Sequence, residues 1–316
     1  MLLLRGLGKI QTLRQADKAF DIVDIHVLVP PGECSLRIMR HVFFILRLHI
    51  LMLVFLYIIP KAASGIRKEV EIMTNYIRKM SGKQYLARMK ECPTVIIPTG
   101  ACEIYGPHLP MGTDLIVAKR IAELVAEKTG ALIAPTIEAG ESSALQAFSC
   151  TFPMPRKILE DYLDFLVGKL IQDGARNLVF LTGHAGNVDT ASYIGKKYLA
   201  QHPDLKMVQI DWWRFANANS GEIFQFKGQM AHGHASECGT SVMLYLFPEL
   251  VDLEEATCVE PAPSDGYTDF IGIVPFNSRT WNGTIGDATV ASREKGEKLV
   301  SQCVNRIVNY MQEKML

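Results

Sequence analysis

Residues 94–114 read Thr94-Val95-Ile96-Ile97-Pro98-Thr99-Gly100-Ala101-Cys102-Glu103-Ile104-Tyr105-Gly106-Pro107-His108-Leu109-Pro110-Met111-Gly112-Thr113-Asp114. The apolar run at Val95, Ile96 and Ile97 has the length and β-branched content of a buried strand. Pro98, Gly100, Gly106, Pro107 and Pro110 then break any regular element, and Glu103, Tyr105, His108 and Asp114 fall in that broken segment. A helical pattern opens directly after it, with Asp114 as N-cap and Leu115, Val117, Ala118, Ile121, Ala122, Leu124 and Val125 following. A strand, an acid- and histidine-bearing loop and then a helix is where open α/β sheets place their chemistry. Glu103 and Asp114 are oxygen donors on a loop stiffened by proline, which suits a divalent metal. A structural acidic turn uses the same residue types, so these residues alone leave both readings open.

Outward from this stretch the pattern repeats. A short helix around Ile77 to Met89 leads into the strand, and the helix from Asp114 stops at Gly130. Ala131 to Ile137 reads as a second buried strand, and Lys157 to Gln172 as an amphipathic helix. Asn177 to Leu181 is a third strand, followed by the turn Thr182-Gly183-His184-Ala185-Gly186-Asn187 and a helix from Val188 to Ala200. Leu205 to Ile210 is a fourth strand, Cys238 to Leu246 a further helix, and Thr289 to Met311 the last one. Strands alternating with helices of this length predict an α/β domain with a mostly parallel sheet covered on both faces. No linker divides residues 74–316, so 73–316 is expected to form one domain.

The 316 residues are 48% hydrophobic, and 33 basic residues balance 33 acidic ones. That balance, with no basic patch interleaved by aromatics, argues against a nucleic-acid partner. Seven cysteines are scattered without a CxxC pair, which argues against a disulfide framework and fits a reducing, cytoplasmic setting. Residues 1–72 look unlike the rest. Val42 to Ile59 is an apolar run interrupted only by Arg47 and His49, with Arg37 and Arg40 before it. It is open to three readings: a start assigned upstream of a true one near Met73 or Met80, an anchor or export signal, or an apolar hairpin. The two basic residues are costly at a bilayer centre. Membrane contact is expected only if this segment is real.

His108, His184, His232 and His234 all fall in Gly- or Pro-containing breaks, which points to a shared site rather than to solvated turns. Glu237 follows His234 at a helix start, where capping alone also accounts for a carboxylate.

These residues resemble the creatininase (creatinine amidohydrolase) family. Gly100 to Asp114 is similar to its G-x-x-E-Q-H-G-P-H-L-P-x-x-T-D motif, Thr182 to Asn187 to N-G-H-x-x-N, His234 to Ser241 to H-A-G-E-x-E-T-S, and Gly283 to Asp287 to a late G-x-x-G-D. The resemblance implies a three-layer α/β/α fold, a homo-oligomer that is often a hexamer, and hydrolysis of a small molecule with zinc or manganese. It implies Glu103, Asp114 and His184 as ligands of one metal, Glu237 as a further ligand or general base, and His234 as a proton-transfer residue. Tyr105 stands at the family's second-metal histidine, Gly186 at a metal-binding glutamate and Gly239 at an acid of the third motif. In the Gly140 to Thr151 loop, Leu145 stands at the family's histidine and Ser149-Cys150 at its Pro-Gly. The first metal site is therefore expected complete and the second weak or absent, which argues against creatinine as substrate. The Glu103-Ile104-Tyr105-Gly106-Pro107-His108 variant leans toward the family's ring-opening hydrolases of 3-dehydro-scyllo-inosose.

Three functions stay open: a metal-dependent hydrolase of a small cyclic compound, C–N or C–C; a single-metal lyase or isomerase on a ketosugar; and a non-catalytic oligomeric binding protein. In the first, Tyr105 either donates to a developing oxyanion or fills the lost imidazole's space. Trp212, Trp213 and Trp281 either wall the pocket or pack in the core.

Overall fold

Ser81 starts the first helix, α1 (Gly82–Glu91), through a capping box: its hydroxyl accepts from Gln84 N at 3.3 Å, and its own N–H donates to Gln84 Oε1 at 2.8 Å. The structure is a computed structural model that describes residues 74–263, 266 and 272–316. Met73–Leu316 forms one compact unit. The expected extension 1–72, with its apolar run 42–59, lies outside the described residues. Among the described residues no helix is long and apolar enough to cross a membrane.

The chain continues as β1 (Thr94–Thr99), α2 (Thr113–Thr129), β2 (Leu132–Ile133), α3 (Arg156–Gln172), β3 (Asn177–Thr182), α4 (Val188–Gln201) and β4 (Lys206–Asp211). Then come α5 (Trp212–Asn219), α6 (Gln229–His232), α7 (Glu237–Leu246), the antiparallel two-residue strands β5 (Cys258–Val259) and β6 (Gly286–Asp287), and α8 (Arg293–Lys314). The main sheet has the order β2-β1-β3-β4, and all its pairings are parallel.

Strands β1 and β3 are buried at every position, as expected of central parallel strands covered on both faces. The period of two sorts their side chains. Ile96, Val179 and Leu181 meet α2, α7 and α8 through Val117, Ile121, Val242, Leu299 and Val300. Val95, Ile97, Leu178 and Phe180 meet α1, α3 and α4 through Met89, Leu159, Leu163 and Ile194. The result is the expected three-layer α/β/α fold. Burying a side chain such as Leu163, which is fully enclosed, contributes roughly 1.5–3 kcal/mol. β4 is an edge strand and is only partly buried.

Of the boundaries that differ from those read in the sequence, two have a plain physical cause. The second strand pairs only at Leu132 and Ile133, because Pro135 two residues on has no N–H to donate. The last helix starts at Arg293 rather than Thr289. Asp287 Oδ1 holds Thr289 N at 2.9 Å in a turn, and Ser292 accepts from Lys295 N as the true N-cap.

Thr99 of β1 lies level with Thr182 of β3, and Thr182 with Asp211 of β4. The loops leaving β1 and β3 therefore emerge side by side. β1 hands the chain to β2 on one side, and β3 lies on the other, so the crevice at the strand ends is a topological switch point.

Candidate functional site

Glu103 leaves β1 on the proline-stiffened loop, which closes on itself through Glu103 N donating to Met111 O at 2.9 Å. Asp114, read in the sequence as the N-cap, instead sits inside the first turn of α2, whose N-cap is Gly112. His184 follows β3, and the chain there runs close against α2: a Cβ on Gly183 would lie 2.1 Å from Asp114 O. Only glycine permits that approach, and it brings His184 to Asp114.

Ligand atoms of Glu103, Asp114 and His184 lie within 4.8 Å of one another, and all three residues are buried. His184 Nδ1 is 2.8 Å from Asp114 Oδ2 and 3.4 Å from Glu103 Oε1. Its Nε2 meets the Glu141 carbonyl oxygen at 2.7 Å, which orients the ring as a supporting acceptor orients a metal-binding imidazole. Glu103 Oε2 is buried without a hydrogen-bond partner. Two buried carboxylates and an orphaned oxygen at such range call for a cation. The donor set of two carboxylates and one imidazole fits zinc or manganese.

Protons partly meet that need. Burial would lower the pKa of His184, but Glu103 and Asp114 raise it well above the ordinary range. Burial likewise opposes a charged His234, and Glu103 raises its pKa. Glu103 pays for burial but, faced by both imidazoles, falls below the usual carboxylate range. Asp114 rises above it, through burial and the neighbouring Glu103, despite its bond to His184.

His234 Nε2 is 3.2 Å from Glu103 Oε1, and its Nδ1 meets the Gly283 carbonyl oxygen at 2.7 Å. The chain turns sharply just after it. Ala235 takes φ 53°, a left-handed conformation adopted by no other non-glycine residue among those described, at a cost of roughly 1–2 kcal/mol. Tyr105 lies against His234, ring centroids 4.3 Å apart. Burial first, then Asp114 and Glu103, push its phenol well above 10, so it stays a neutral O–H donor.

Glu237 is not brought to this cluster. It is fully buried, and its Oε1 accepts from Lys295 Nζ at 2.6 Å and Gln225 N at 2.8 Å, its Oε2 from Phe226 N at 3.3 Å. Its carboxylate ties α7 to α8 and to the loop after α5. Of the tryptophans, Trp213 lines the cavity, Trp212 is buried in the core, and Trp281 is 76% exposed.

A cavity of about 340 Å³ opens above the three donors. Sequence reasoning missed Glu141 and Arg279, both in its wall. They sit in irregular segments, where no periodicity announces a side chain's direction. Gly186, where a ligand glutamate was expected absent, has no room for a side chain: a Cβ there would lie 1.9 Å from Glu141 O. No second group of three His, Cys, Asp or Glu donors assembles among the described residues.

Comparison with known proteins identifies the family and the fold. The family model for creatininase, described as creatinine amidohydrolase, matches residues 78–311. Creatinine amidohydrolase of Pseudomonas putida is 30% identical over 75% of this chain and 96% of its own length. 3-Dehydro-scyllo-inosose hydrolase of Thermotoga maritima is 28% identical over 75% of this chain and 81% of its own. The mycofactocin precursor peptide peptidase of Mycolicibacterium smegmatis is 27% identical over 67% and 82%. A crystal structure of creatininase superposes with TM-score 0.67 at 28% identity, covering 77% of this chain and 99% of that one. Solved creatininases include a manganese form and a Zn-Zn form. The chain belongs to the creatininase family, and it is a metal-dependent hydrolase.

Proposed function

We propose that this creatininase-family chain opens a small cyclic carbonyl compound by hydrolysis, using one divalent metal held by Glu103, Asp114 and His184, with 3-dehydro-scyllo-inosose as the lead substrate. When bound, the metal would polarise the substrate carbonyl and favour ionisation of water. The observation that carries the single-metal reading is the close packing at Gly186. The Glu141 carbonyl lies where a side chain from that position would begin, and it engages His184 Nε2. Tyr105, a neutral phenol, adds no good second ligand.

The remaining steps fall to side chains of this chain. His234, fixed through Nδ1 to Gly283 O, presents Nε2 beside Glu103. It takes a proton from the attacking water and returns it to the leaving atom as the ring bond breaks. The water oxygen becomes part of the new carboxylate. Tyr105 donates its O–H to the oxygen that gains charge. Glu237, held by Lys295 and two main-chain N–H groups, positions α7 rather than touching substrate.

A cyclic amide is the second reading, favoured by the flat apolar walls of Trp213 and Phe276 in the cavity. The family resemblance further supports a homo-oligomer, and free cysteines among the described residues support a reducing compartment. The deciding experiment loads the full chain with Mn²⁺ or Zn²⁺, counts metal per subunit by elemental analysis, and follows 3-dehydro-scyllo-inosose and creatinine by NMR in ¹⁸O-labelled water. One metal per subunit and labelled carboxylate from the inosose support the reading. Product without label sinks hydrolysis in favour of a lyase or isomerase. Turnover of creatinine alone moves the assignment to the amide.

A further inference from the structure

We infer that Glu141 and Arg279 are specificity-determining residues that read the hydroxyls of a polyhydroxylated six-membered ring. The inference rests on the ring-opening reading above and names the groups that would select its substrate.

Both side chains line the cavity above the three metal-site donors. They carry opposite charges, yet neither forms an ion pair among the described residues. Glu141 Oε1 accepts from Ser143 N at 3.2 Å and from the Ser143 hydroxyl, which fixes the carboxylate and leaves Oε2 with no donor among the described residues. The guanidinium of Arg279 has no acceptor among the described residues. Each stands on a short 3₁₀ turn or beside one, Ser143–Leu145 and Phe276–Ser278, and the two turns pack against each other. The heads are thus carried by one supported rim.

The wall therefore presents one unmet acceptor, Glu141 Oε2, and one unmet donor group, the Arg279 guanidinium, to whatever fills the cavity. A hydroxyl both donates and accepts and so meets either. A carboxylate-bearing ligand would satisfy Arg279 and be repelled by Glu141; a cationic one would do the reverse. The planar guanidinium of Arg279 engages two neighbouring oxygens at once, and Glu141 Oε2 accepts from one hydroxyl. Trp213 and Phe276 supply apolar faces for the C–H face of the ring.

The test measures binding rather than turnover, by calorimetry on the full metal-loaded chain with scyllo-inositol as an inert polyol. Cyclohexanol and N-acetylglycine serve as ring-only and anion-only controls. Glu141→Gln keeps the main-chain carbonyl that holds His184, and Arg279→Met keeps an apolar stem without the guanidinium. Saturable binding of the polyol, none of cyclohexanol, and roughly tenfold weakening in each variant with unchanged melting temperature support the assignment. No saturable polyol binding by the parent, or equal binding in both variants, overturns it. N-acetylglycine binding more tightly than the polyol and lost only in Arg279→Met overturns it in favour of an anion reader. If the polyol binds in this residue-dependent way while the inosose is not turned over, the ring-opening reading fails and the polyol assignment stands.

Discussion

Replacing Glu237 with glutamine separates a structural carboxylate from a metal ligand. The wild-type side chain is fully buried and accepts from Lys295 Nζ, Gln225 N and Phe226 N. Glutamine keeps the volume and one acceptor oxygen, but its NH₂ faces a donor and the charge balancing Lys295 is gone. Removing one partner of a buried pair costs about 3–5 kcal/mol. Lys295 is 23% exposed and also donates to Val290 O at 2.6 Å, so its ammonium retains some solvation. The expected loss is therefore at the low end, about 3 kcal/mol. That lowers the urea midpoint by about 1 M for a chain with a steep m-value and the melting temperature by roughly 6–12 °C. Urea unfolding followed by tryptophan fluorescence reads the first, and elemental analysis of the native variant reads metal content, expected unchanged. Lys295→Met should destabilise comparably, and the double variant should recover at least about 1 kcal/mol of the summed loss. A variant that loses its metal while its urea midpoint barely moves would refute the reasoning and make Glu237 a ligand.

Three other substitutions or conditions test separate parts of the structure. Gly186→Ala forces a methyl toward Glu141 O and His184 Nε2; loss of the orienting contact should weaken metal binding by roughly 10–100-fold, measured by chelator competition. Tyr105→Phe should leave metal content intact and lower kcat roughly a hundredfold if the hydroxyl stabilises a developing oxyanion; an unchanged kcat would make it a packing residue. His108 is buried with Nε2 2.8 Å from Thr240 Oγ1, and burial lowers its pKa from 6.5 to about 4. The unfolded chain takes up this proton first as pH falls. This contribution is therefore complete above about pH 6.5 and is lost progressively down to about pH 4, roughly 3 kcal/mol in all. Urea midpoints across that window should fall less steeply in His108→Asn.

Much of the architecture was readable because its elements are long and periodic. The helix read as Lys157 to Gln172 forms as Arg156–Gln172, and the strand read as Asn177 to Leu181 extends one residue to Thr182. Glu103, Asp114 and His184 were readable as a set from their motifs, and the parallel register that brings them together follows from the alternation of strands and helices. The direction of Glu237 was not readable. Its neighbour His234 reaches the cluster, but one residue of left-handed backbone at Ala235 and the start of α7 turn the carboxylate away, toward a lysine 58 residues downstream. Glu141 and Arg279 were missed for a related reason: in irregular loops, tertiary packing alone decides where a side chain points.

The close main-chain contacts at Gly183 and Gly186 bear on how this site could be diversified. Its floor is held by backbone pressed against backbone, so a mutational library that samples those two positions will mostly yield misassembled sites. The rim is different: Arg279 is exposed and Leu145 belongs to a short turn. A search for altered selectivity should therefore randomise the rim and leave the floor untouched, with metal retention as the check that each survivor still carries the parental centre.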